Sequence, residues 1–295
     1  MKVYISISIL LFVILSCTDL GPDHNQTETI IPDEWAQEGL NGIWGTSANN
    51  LYVVGMHGTI MNYNGVDWLQ MDSNTSHSLY GIWGSGSDNI VAVGSKGTIL
   101  HYNGSEWTEM DSPISSNINS IWGINGDNIY AVSSNGSVIH YNGIQWNLLE
   151  TPFDVALHSI WAAPNEELFI TGADGTIFHF DGNKWETIAS NKPPLFAIWG
   201  LSPSQVFAVG SAGFIYFFDG ENWESMYSPT EYGLYGIWGS SSSHIYAIGL
   251  NGTILHFNGS DWRKNYPLVT QNLYDIWGLR NEIFIVGENG TILKP

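Results

Sequence analysis

Residues 79–110 read LYGIWGSGSDNIVAVGSKGTILHYNGSEWTEM. Residues 79–84 are a short strand, and 85–89 a polar turn. Residues 90–94 are a second apolar strand. Ser95-Lys96-Gly97 is a tight turn with glycine where positive φ is wanted. Residues 98–102 form a third strand, Asn103-Gly104 is a strong hairpin signal, and 106–110 form a fourth strand with alternating faces. No segment keeps a helical period long enough to compete.

This unit recurs along the chain. Ile-Trp pairs place Trp44, Trp83, Trp122, Trp161, Trp199, Trp238 and Trp277 at intervals of 39, 39, 39, 38, 39 and 39. A second series follows Asn/Asp-Gly turns: Trp68, Trp107, Trp146, Trp185, Trp223 and Trp262. With Trp35, which precedes the first unit, they account for all 14 tryptophans. Seven units of four short antiparallel strands at a fixed period predict an all-β, seven-bladed β-propeller. A lone four-stranded meander exposes two apolar faces, whereas blades packed around an axis bury both. The tryptophans are therefore read as repeat core rather than as a ligand cage. The residue before each Ile-Trp is small (Gly42, Gly81, Ser120, Ser159, Ala197, Gly236), with Asp275 the exception.

The seventh unit stops at Pro295, before a fourth strand. An N-terminal strand carrying Trp35 is expected to close the last blade near Ile292. Trp35 precedes Trp44 by only 9 residues, where the other crossings take 14 or 15.

The repeat resembles bacterial tandem-repeat propellers built on Ile-Trp-Gly and Asn-Gly-Thr-Ile-Leu-His-Tyr-Asn-Gly, many of them secreted or lipid-anchored. More distantly it is similar to photosystem II assembly-factor propellers and to the Asp-box propellers of sialidases. The Asp-box position five residues before Trp is aromatic here (Tyr63, Tyr102, Tyr141, Phe180, Phe218, Phe257), so the sialidase likeness stays at the fold.

Ahead of the repeats, an apolar run over residues 3–15 follows Met1-Lys2 and ends at Ile14-Leu15-Ser16-Cys17. The run is short for a membrane span, which needs about 20 residues, and has the form of a signal peptide. Its end resembles the bacterial lipoprotein cleavage box. That resemblance implies cleavage after residue 16, lipidation of Cys17, and residence in the bacterial cell envelope, with the outer membrane the expected site. The domain reading is a signal peptide over 1–16, a flexible tether over 17–30 and one propeller over 31–295. Cys17 is the only cysteine, which excludes an internal disulfide or a cysteine-built zinc site.

Eight Lys plus Arg against 28 Asp plus Glu give a net charge of −20. Nucleic acid and anionic lipid are poor partners for such a chain, so membrane contact is expected only through the Cys17 lipid. At 43% hydrophobic and 12% charged the chain has ample material for a core.

His101, His140, His179 and His256 share one repeat position, which Asn62 and Phe217 fill elsewhere. Symmetry places them on different blades, so they read as structural. No phosphate loop, nucleophile elbow or zinc signature is present, and no cofactor or metal is expected. The sequons at Asn103, Asn135, Asn251, Asn258 and Asn289 fall in the repeat's glycine turns, whose chemistry explains them.

Individuality lies in the crossings between blades, at 71–78, 111–117, 150–156, 188–194, 226–233 and 266–272. All six share one face of the disc. Tyr227, Tyr232, Arg263, Lys264 and Tyr266 cluster in or beside two successive crossings and suit a glycan or an anionic protein segment. The expected function is a non-enzymatic, monomeric envelope lipoprotein that binds a protein or glycan on this face. The alternatives are an extracytoplasmic carbohydrate-active hydrolase or lyase with carboxylates on the face, and a structural subunit of an envelope assembly.

Overall fold

The computed structural model describes residues 27–28, 39–189, 193–265 and 269–295. They form seven four-stranded antiparallel sheets arranged as the blades of a propeller. In blade two the strands are Leu79–Gly86, Asn89–Gly94, Ile99–Tyr102 and Trp107–Glu109, ordered from the axis outward. The second and third strands are where the apolar run and the Gly-Thr-Ile-Leu segment place them. The second is buried along almost its whole length because blades cover both of its faces.

The Ile-Trp-Gly triplet is explained by contact between neighbouring blades. The ring of each inner-strand tryptophan lies on the glycine that follows Ile-Trp in the next blade. A Cβ on Gly84 would meet Trp44 Cη2 at 2.7 Å, and one on Gly123 would meet Trp83 Cη2 at 2.4 Å. The same contact joins Trp161 to Gly200, Trp199 to Gly239 and Trp238 to Gly278; at the seam Trp277 sits over Gly45. Blade four carries Ala162 at the glycine position. Of the 13 tryptophans described, seven are buried and six half-buried.

The ring closes as expected in kind, through an N-terminal strand, but that strand is not the one around Trp35. Thr27–Glu28 supplies the outer strand of blade seven, pairing Glu28 with Leu293 and Thr27 with Lys294. The same register appears in blade two, where Glu109 pairs with Leu100 and Thr108 with His101. Thr27-Glu28 therefore repeats Thr108-Glu109 in both sequence and pairing. The chain must travel from the outer strand of one blade to the inner strand of the next, past three strand spacings of about 4.8 Å. Trp35 precedes Trp44 by 9 residues where the other crossings take 14 or 15, and the repeat register that pairs with Leu293 and Lys294 falls upstream at Thr27-Glu28. Trp35 itself lies outside the described residues. Thr27 and Glu28 fall in the stretch read from sequence as tether.

A second feature closes the seam. Asp275, on the inner strand of blade seven, accepts the Ile43 N–H of blade one at 2.8 Å and the Ile276 N–H at 2.9 Å. Ser120 and Ser159 make the equivalent inter-blade bond to Ile160 and Ile198 at 3.4 and 3.3 Å.

Removing residues 18–38 from the chain should leave Ile292–Lys294 as an open edge. Two ladder pairs are worth about 1–3 kcal/mol, which is readable as a fall of several degrees in Tm by calorimetry. An unchanged Tm would mean that blade seven is stable with three strands.

Candidate functional site

Each crossing enters a blade beside the turn between its second and third strands. The Ser95 N–H donates to Ser78 O at 2.8 Å, Ser134 N–H to Asn117 O at 2.9 Å and Ser211 N–H to Pro194 O at 2.9 Å. The crossing leaving blade two packs on the same turn. Gly97 has φ +75°, and a Cβ there would stand 2.0 Å from Ile114 O, so only glycine fits. The crossings are thereby pinned to a rigid face.

The inner strands begin on that face, and their second residues ring the mouth of the central channel. This position, three before each inner tryptophan, holds Asn41, Tyr80, Asn119, His158, Phe196, Tyr235 and Tyr274. It varies while the Ile-Trp beside it does not. With Asn117 these residues line an open depression of about 460 Å³ at the channel mouth.

Four of the ring residues form a continuous aromatic arc. His158 and Phe196 stack with centroids 5.5 Å apart and planes at 8°. Phe196 and Tyr235 are 5.0 Å apart, and Tyr235 and Tyr274 6.1 Å. Burial holds the His158 imidazole below its ordinary pKa, so it is neutral at pH 7. Across the mouth, Asn41 Nδ2 donates to Leu79 O at 2.9 Å and Asn119 Nδ2 to Leu157 O at 2.7 Å. Each amide is thus fixed by the next blade. Deeper in the channel lies Asp275, the only acid among the described lining residues. Its carboxyl is turned into the wall by the two N–H bonds, and burial pushes its pKa up to about 7.

The residues singled out from the sequence are only partly together. Tyr227 is 82% exposed and Tyr232 45% exposed. Lys264 Nζ stands 5.8 Å from the Tyr232 ring centroid, a cation–π distance. Arg263, its neighbour on the outer strand Trp262–Asn265, points to the other side and pairs across the strand with His256. Tyr266 lies outside the described residues, as does Cys17.

Three of the four repeated histidines make matching contacts, while His256, opposite His244, stacks on Tyr246 at 4.6 Å and its buried Nε2 has no partner among the described residues. His101 Nε2 is 2.9 Å from Asn89 Oδ1, His140 Nε2 2.8 Å from Asn128 Oδ1, and His179 Nε2 2.9 Å from Glu167 Oε2. In blade one Asn62 Nδ2 donates to Asn50 Oδ1 at 3.0 Å, the same link without an imidazole. Among the described residues no three His, Cys, Asp or Glu converge on a metal position. His140→Asn should therefore keep the fold at a cost of about 1–2 kcal/mol, mainly from the lost stacking on Tyr130 at 4.4 Å. Denaturant titration reads this, and stoichiometric zinc uptake that disappears in the variant would contradict it.

The channel-mouth ring is the feature that sequence reasoning missed. Its signal in the sequence is one variable, aromatic-rich position beside the invariant Ile-Trp pair, which the larger variation of the crossings masks.

No protein-family model matches the chain, and no curated protein does. Solved structures do. A catalytically inactive virginiamycin B lyase from Staphylococcus aureus, with quinupristin, superposes with a TM-score of 0.80 at 13% identity, covering 92% of this chain and 98% of that one. YCF48 bound to a D1 peptide gives 0.76 at 18% identity, covering 92% and 97%. YCF48 from Cyanidioschyzon merolae gives 0.75 at 16% identity, covering 91% and 98%. At these identities the likeness is one of fold.

Proposed function

We propose that this chain is a non-enzymatic lipoprotein of the bacterial cell envelope, anchored through Cys17, that binds a protein or glycan partner on its crossing face. The observation that carries the reading is the channel mouth. A single repeat position diverges into an aromatic arc facing an amide wall, while the core positions beside it stay fixed. Rigid blades hold such a surface at low entropic cost. Tyr227, Tyr232, Arg263, Lys264 and Tyr266 are proposed as contacts at the rim of this face, with Tyr232 and Lys264 its centre. The YCF48 structure with a D1 peptide is a precedent for a propeller of this fold holding a peptide. A hydrolase or lyase of the usual two-carboxylate kind needs a second acid facing Asp275, and no described lining residue supplies one.

Two measurements test the reading. Cys17→Ser should release the protein from the membrane fraction or leave it unprocessed; a membrane-bound, mature-sized variant would remove the lipid anchor. Partner capture from solubilised envelopes should be lost with Tyr232→Ala/Lys264→Ala or Phe196→Ala. Loss through changes at the Asn64 and Asn142 turns instead would place recognition on the opposite face.

A further inference from the structure

Resting on the crossing-face reading, we propose that the channel mouth binds the end of a neutral saccharide chain. The sugar face lies on Phe196 and Tyr235, and its hydroxyls meet Asn41 and Asn119.

None of the residues around the mouth is charged at pH 7, His158 being neutral. A phosphate, a carboxylate or a free peptide terminus would enter without a counter-charge, against a chain of net charge −20. An anion is therefore excluded, and the free acceptor and donor of the Asn41 and Asn119 amides suit a neutral polar ligand that both donates and accepts. Its shape follows from the two unlike walls. The arc from His158 to Tyr274 offers ring faces and edges, whereas the opposite wall offers the Asn41 and Asn119 amides on either side of Tyr80. An acyl chain would leave those amides unpaired at a cost of about 1–3 kcal/mol each. A pyranose has both matching surfaces: a C–H face for the rings and an edge of hydroxyls that donate and accept.

The amides are also oriented for the task. Each uses one Nδ2 hydrogen on a carbonyl of the next blade, at 2.9 Å for Asn41 and 2.7 Å for Asn119. That leaves the Oδ1 acceptor and the second N–H of each for a vicinal diol. Below the mouth the channel is lined by the Ile-Trp residues and Asp275, which offer no further free amide, so the chain end sits at the mouth and its body leaves towards the crossings.

The test is calorimetric titration and saturation-transfer NMR with cellotriose, maltotriose, mannotriose and chitotriose. Trigalacturonate serves as the charged control, and a terminally blocked Phe-Tyr tetrapeptide as the peptide control. At least one neutral trisaccharide should bind, and Phe196→Ala and Tyr235→Ala should each weaken it about tenfold or more, while Phe196→Tyr retains it. Asn41→Ala, which leaves the arc intact, should also weaken binding and guards against a folding defect in the aromatic variants. The proposal is overturned if no neutral trisaccharide binds, if trigalacturonate or the tetrapeptide binds more tightly, or if both aromatic variants bind as the parent does. If sugars fail while an envelope partner is still lost with Phe196→Ala, the saccharide assignment falls and the crossing-face reading stands.

Discussion

Trp107→Ala is expected to destabilise the propeller by about 3–5 kcal/mol, the cost of emptying a buried aromatic site. Trp107 is 1% exposed, and its ring lies 5.2 Å from that of Tyr102. It fixes the outer strand of blade two, whose carbonyl at Trp107 also accepts Asn74 Nδ2 at 3.3 Å from the crossing that enters the blade. Trp107→Phe should behave differently. The indole Nε1 is buried with no partner among the described residues, as it is in Trp68, Trp146, Trp223 and Trp262. Phenylalanine removes that unpaired donor while keeping most of the ring contact. The relief, about 1–3 kcal/mol for an unsatisfied group, offsets the lost volume, and the net change should be about 1 kcal/mol or less. Urea titration of both variants decides the matter. Equal losses would mean that the N–H has a partner, and a negligible loss in the alanine variant would mean that the outer tryptophans do not hold the blades.

The second large effect is a pH dependence at the seam. Asp275 has its pKa pushed up to about 7 by burial, against which the Ile43 and Ile276 N–H groups pull downward. The residue is half-buried because it opens on the channel, but its carboxyl is turned into the wall. Between the ordinary aspartate range and pH 7 the folded chain holds a proton that the unfolded chain has released. The stability from this group is therefore complete below the unfolded value and is lost as pH rises through 7. At about 1.4 kcal/mol per unit, reduced for water in the channel, the loss from pH 5 to pH 8 is about 2 kcal/mol. Asp275→Ser removes the titration and keeps an acceptor for Ile43, as Ser120 and Ser159 do for their neighbours. Relative to the parent, the variant should gain stability from pH 5 to pH 8. His101, His140 and His256 have pKa values lowered first by burial, so their contribution is lost as pH falls through 6.5. They are present in both proteins and cancel in the difference. Parallel Tm curves would show that Asp275 does not titrate in this range.

The blade count and strand order were legible because each carries its own physical signal. Alternation marks the strands, Asn-Gly marks the hairpin, and the 39-residue interval marks the repeat. The function of the glycine in Ile-Trp-Gly was not legible, because it serves a side chain in the preceding blade, about 40 residues earlier in the chain. Trp83 and Gly123 meet only when blades are set side by side. The closing strand was misplaced for a related reason. Trp35 carried the conspicuous residue type, while Thr27-Glu28 carried the pairing register, and a two-residue pair has little weight in sequence. Among the rim residues, strand alternation alone would have separated Arg263 from Lys264. The channel ring was hidden by chemistry: asparagine, tyrosine, histidine and phenylalanine at one position look like drift until the axis brings them together.

The tryptophan-on-glycine contact gives each blade two unlike sides, a ledge and a socket. Such a contact is polar in direction, like the head-to-tail joints of subunit rings, and it is satisfied only when the last ledge finds the first socket, as Trp277 finds Gly45. The described chain begins and ends inside blade seven, where Thr27–Glu28 pairs with Leu293 and Lys294, and the joints between blades are of similar construction all round. Opening the chain at another crossing and joining the present ends should give a circular permutant with the same set of joints. Two half-rings cut at crossings would meet through surfaces that are complementary but not self-complementary, and would pair with each other rather than with themselves.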